Sequence, residues 1–165
     1  MDGPLYRFFA EDHRRLDGLL QRAVGCPDGI DRAAYAEFRA ALLKHISMEE
    51  KILLPFAQMM RGGEPLPVAA KLRLDHGAIA ALLVPSPSQQ IIAALRASLS
   101  AHNAIEEGAG GLYEATEQLA GAEMDNLLTQ LRAAPEVPVA PHVDGPRVIE
   151  ATRRALARAG YNLGE

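Results

Sequence analysis

His45-Ile46-Ser47-Met48-Glu49-Glu50 and His102-Asn103-Ala104-Ile105-Glu106-Glu107 are two copies of one pattern. In each, a glutamate follows a histidine by four residues, and a second glutamate comes next. Four residues make about one helical turn, so imidazole and first carboxylate share a helix face. Each copy has an upstream partner: Asp12-His13 before the first, Asp75-His76 before the second. Four of the five histidines thus fall into a repeated His … His-x-x-x-Glu arrangement with metal-ligand spacing. The rest of the chain reads as a scaffold for it.

The stripes around these residues set the fold class. Phe9, His13, Leu16 and Leu20 recur at helical spacing, as do Phe38, Leu42, His45, Glu49, Ile52 and Phe56. A third stripe holds Leu72, His76, Ile79 and Leu83; a fourth holds Leu95, Leu99, His102, Glu106 and Tyr113. One histidine on an apolar stripe is usually a satisfied core residue. Four of them, two with a carboxylate one turn on, do not fit that account, because charge is rarely buried unpaired. His13, His45, Glu49, His76, His102 and Glu106 are therefore the candidate metal ligands.

Boundary signals divide the chain into helices. Asp2-Gly3-Pro4 predicts a capped start for a helix reaching about Val24, broken by Gly25-Cys26-Pro27-Asp28-Gly29. Asp31 caps a second helix, about 31–60, which Pro55 should bend. Pro67 opens a third, reaching about Val84. Ser86-Pro87-Ser88-Gln89 reads as a capping box for a fourth. Gly108, Gly110 and Gly111 inside that fourth helix allow either a close approach or a local bulge. Gly121 can interrupt it, and Met124, Leu127, Leu128 and Leu131 extend it to about Ala134. The expected fold is all-α: an up-down-up-down antiparallel four-helix bundle over 1–134. Residues 135–165 add a proline-marked linker and an amphipathic helix, about 147–159, that docks on the bundle or on a partner.

Other residues receive weaker expectations. Glu50 and Glu107 point about 100° from the preceding glutamates, as solvated or supporting carboxylates. Asp12 and Asp75 either orient a neighbouring imidazole or serve as surface and capping groups. Tyr113, seven residues past Glu106 on a continuous helix, reads as pocket wall. His142 reads as solvated unless the tail folds back, and Cys26 as inert.

Composition narrows the classes. The chain has 165 residues, enough for one domain with a sizeable core, and a net charge of −4. No basic stripe suggests nucleic acid, and no apolar run of about 18 residues suggests a membrane span. Acidic residues near the start and a single cysteine are expected of a cytoplasmic protein. Monomer and homodimer are both compatible with the sequence. Imidazole with carboxylate suits iron first, with manganese or zinc as alternatives.

The ferritin-like di-metal proteins use Glu-x-x-His, but here Leu42 and Leu99 stand three residues before the histidines. With the paired His-x-x-x-Glu-Glu stretches, Leu54-Pro55 and the Asp-His pairs, residues 1–134 resemble the hemerythrin HHE cation-binding family. The resemblance implies an up-down bundle with two non-haem iron ions joined by carboxylates and an oxo or hydroxo bridge. It implies that His13 and His45 hold one iron, His76 and His102 the other, and that Glu49 and Glu106 bridge. Respiratory members carry a fifth histidine on the third helix, where this chain has Leu72 and Ala80. The present set is closer to iron-sensing domains and to proteins that repair nitrosatively damaged iron centres. A small diatomic ligand, dioxygen or nitric oxide, is the implied partner. An enzyme that reduces peroxide or repairs such centres is the alternative.

Overall fold

The structure, a computed structural model, describes residues 2–164. It is all-helical, and four antiparallel layers carry the site. The first is α1 (Pro4–Val24). The second is α2 (Arg32–Met48), continued through a π-helical turn (Glu49–Leu53) into α3 (Leu54–Met60). The third is α4 (Ala69–Leu82), starting two residues beyond the proline expected to open it. The fourth layer is three pieces: α5 (Gln89–Glu107), α6 (Leu112–Ala120) and, after a 3-10 turn, α7 (Met124–Arg132). A fifth helix, α8 (Pro146–Ala159), lies mainly along α4.

Local chemistry explains most of the ends. Asp31 caps α2 by accepting from the Ala34 amide at 3.0 Å. Ser88, not Ser86, caps α5, and Ser86 is instead held by Asp144 of the folded-back linker. Gly160 closes α8 at φ 88°, the left-handed conformation that favours glycine. The start of α1 differs from expectation. Asp2 makes no cap; the Leu5 and Tyr6 amides donate to Glu117 Oε1 of α6 at 2.7 and 2.9 Å. A Cβ on Gly3 would sit 1.9 Å from that carboxylate, so glycine leaves room for a cap supplied from over one hundred residues away.

Pro55 acts differently from a simple bend. It has no amide hydrogen to donate one turn back, and the Leu54 amide just before it donates to Glu49 O, five residues earlier. The turn widens at the residues that carry the site's first glutamate pair.

Two apolar clusters fill the bundle. One gathers Leu16, Leu20, Phe38, Leu42, Ile79 and Leu95 with Leu156 and Leu163 of the tail. The other gathers Leu5, Phe9, Leu53, Leu72, Leu112 and Leu127. The histidines and glutamates lie between them. The tail packs on its own chain. Leu156 is fully buried, Arg39 donates to Leu83 O and Ala140 O, and the Val143 amide donates to Val84 O. His142, expected to be solvated, is half-buried and stacks on Tyr35 with ring centroids 6.1 Å apart.

Candidate metal centre

The six sequence-selected residues converge. His13, His45, His76 and His102 are buried, and Glu49 and Glu106 are 0% exposed. Their ligand atoms form two groups, His13–His45–Glu49–Glu106 and Glu49–His76–His102–Glu106, each with its atoms within 4.8 Å of one another. Both glutamates belong to both groups. Glu49 Oε1 lies 3.4 Å from His45 Nε2, and its Oε2 lies 3.0 Å from His76 Nε2. Glu106 Oε2 lies 3.3 Å from His13 Nε2, and its Oε1 lies 2.8 Å from His102 Nε2. Each carboxylate therefore gives one oxygen to each group.

All four imidazoles turn Nε2 inward, because Nδ1 meets a carboxylate outside. Glu107 Oε1 is 2.5 Å from His13 Nδ1, and Asp12 Oδ2 is 2.8 Å from His45 Nδ1. Glu50 Oε1 is 2.6 Å from His76 Nδ1, and Asp75 Oδ2 is 3.2 Å from His102 Nδ1. A carboxylate on Nδ1 fixes ring orientation and tautomer and leaves the Nε2 lone pair for a metal. Asp12 and Asp75 thus orient an imidazole, but not that of the adjacent histidine: each serves the next helix. Glu50 and Glu107 are supporting carboxylates. Outward, Asp12 meets Arg15, Glu50 meets Arg73, Asp75 meets Lys71 and Glu107 meets the Tyr6 hydroxyl.

Tyr113 corrects the sequence reading. It lies at the centre rather than along the wall. Its hydroxyl is 2.7 Å from Glu49 Oε1, 3.0 Å from Glu106 Oε2 and 3.2 Å from His13 Nε2. Between Glu106 and Tyr113 lies the Gly108–Gly111 break, which ends α5 and starts α6. A Cβ on Gly111 would stand 2.3 Å from Ile105 O, and one on Gly108 would stand 2.6 Å from Ala104 O. Gly110 has φ 69°. These glycines therefore make a helix break, and the Tyr113 hydroxyl meets Glu106 across it. The glycine cluster was legible as an irregularity, a close approach or a bulge within one helix, whereas the structure ends one helix there and starts another.

The donor set fits a metal on physical grounds. His13 Nε2 and His45 Nε2 face each other at 3.1 Å, which without a metal needs a proton between them. His102 Nε2 and Glu106 Oε1 are close, yet neither has a hydrogen-bond partner of acceptable geometry. The metal-free cluster is strongly charged. Burial disfavours charge on His45, but Glu49 and Asp12 outweigh it and raise its pKa to about 10. Burial likewise opposes charge on His102, and Asp75 with Glu106 raises it to about 9. Burial would push Glu49 up, but His45 and His76 hold it well below the ordinary carboxylate range. Burial and the two glutamates push the Tyr113 phenol well above its usual value, so it stays protonated. A bound cation would take the place of the imidazole protons.

Among the described residues, no helix is long and apolar enough to cross a membrane. Comparison with curated proteins and with solved structures finds no match. A family model, the hemerythrin HHE cation binding domain, matches residues 5–134, the bundle and all six clustered side chains. Its span ends just past α7, and the chain belongs to the hemerythrin HHE cation-binding family.

Proposed function

We propose that this chain is a di-iron protein that binds a small diatomic ligand, dioxygen or nitric oxide, in sensing, iron handling or stress response. His13 and His45 hold one iron, His76 and His102 the other, and Glu49 and Glu106 bridge; manganese or zinc is the alternative metal. The observation that carries this reading is the division of each glutamate's two oxygens between the two histidine pairs. Iron, when bound, would supply the redox change and Lewis acidity toward the ligand. The chain supplies the rest. Asp12, Glu50, Asp75 and Glu107 keep the imidazoles aimed inward. An apolar cluster packs on either side, and Tyr113 offers a protonated hydroxyl to the two glutamates.

Tyr113 also favours a second reading, an enzyme that reduces peroxide or repairs nitrosatively damaged iron centres. Its hydroxyl is a proton donor within the cluster. Anaerobic purification with metal analysis and an optical spectrum tests the proposal. About two irons per chain and a spectrum changed by azide or nitric oxide are expected. Full metal retention in a His45→Ala, His102→Ala double variant would overturn the ligand assignment. A stable, reversible dioxygen adduct favours binding, whereas rapid oxidation with peroxide turnover favours the enzyme.

A further inference from the structure

The centre opens on one side into a cavity of about 290 Å³ between α1, α2, α4 and α5. It is far larger than a diatomic ligand at the centre needs, which is little more than the ~30 Å³ share of one water. An apolar cavity of about 150 Å³ accommodates benzene, so this one has room for a longer body. Its walls include Leu16, Leu20, Phe38, Leu42, Ile79 and Leu99. Polar groups also line it along α5, where exposed Ser100 and half-buried Asn103 join Arg96 and His102. Buried His13, His45 and His102 form the inner end, and exposed Asp17 and Arg96 stand at the mouth. Among the described lining residues Arg96 is the only lysine or arginine, and the Asp17 carboxylate already accepts from Gln21.

We propose that this cavity is a binding site for a small anionic amphiphile, a medium-chain monocarboxylate in chemical class. The alkyl body lies against the apolar side chains of the wall, and the carboxylate sits at the histidine end. Arg96 draws the anion to the mouth. An apolar wall gains from each methylene buried, while the inner polar end gives one headgroup its place. The head position rests on the proposed metal reading; the site for the alkyl body does not.

Calorimetry and thermal shift with octanoate and acetate on the full chain, iron-loaded and metal-free, provide the test. Octanoate should bind the iron-loaded chain at least tenfold tighter than acetate and should also stabilise the metal-free chain. Leu99→Trp, which fills the cavity, should remove that preference while leaving iron content and the azide response intact. If that variant does not fold, the series butyrate, octanoate, dodecanoate decides: affinity should rise to octanoate and not beyond. Equal affinity for acetate and octanoate, or an octanoate preference that survives Leu99→Trp, overturns the inference. Failure to load iron or respond to azide overturns the metal reading instead, and octanoate binding by the metal-free chain still decides whether the cavity takes the alkyl body.

Discussion

Leu156→Ala measures how firmly the tail is part of the fold. Leu156 is 0% exposed and belongs to the same cluster as Ile79, Leu82 and Leu83 of the third layer. The substitution removes three carbons from a closed site. At about 0.8 kcal/mol per buried methylene the transfer loss is about 2.4 kcal/mol. A partly collapsed cavity adds to this, within the ~2–5 kcal/mol range for such changes. For a chain of this length each kcal/mol lowers Tm by about 2–4 °C. A destabilisation of about 3 kcal/mol therefore predicts a fall of about 6–12 °C in thermal denaturation followed by circular dichroism. Arg154→Ala on the outer face of the same helix is the control. Arg154 is 61% exposed and meets Glu150 at 3.4 Å, so its loss should shift Tm by less than 2 °C. A Leu156→Ala shift as small as that of the control would refute intramolecular docking of α8.

Tyr113→Phe removes a buried hydroxyl that meets Glu49 and Glu106, so the metal-free protein should lose about 1.5–3 kcal/mol in urea denaturation. An unchanged midpoint would show that the hydroxyl is not engaged. The metal-free protein should also weaken at alkaline pH. The raised pKa values of His45, about 10, and His102, about 9, contribute stability that is full below the unfolded value of about 6.5. That contribution erodes as pH rises and is gone above about 10. Iron-loaded protein, whose imidazoles are neutral, should lack this decline when Tm is recorded from pH 6 to 10.5. Lys71→Met should speed iron loss to a chelator several-fold with little change in helix content, because Lys71 links Asp75, the carboxylate behind His102, to Ala159 O and the Tyr161 ring. An unchanged rate would detach the tail from the centre.

The sequence by itself determined the helices, the family and the six clustered side chains. Periodicity at 3.6 residues is a local property, and a histidine and glutamate on an apolar stripe must meet partners inside. It also made the tail helix legible, since Pro146 and Gly160 mark its ends within the chain. Tertiary structure alone decided the partnerships. Asp12 supports His45 rather than His13, and Asp75 supports His102 rather than His76, because adjacent residues on a helix face different ways. No local signal gave Glu117 to the start of α1; two distant helices had to pack first. Tyr113 meets the centre across the glycine break, and where a chain goes after a break follows from packing. The same packing decided where α8 docks, since an amphipathic stripe specifies that a face must be covered but not which surface covers it.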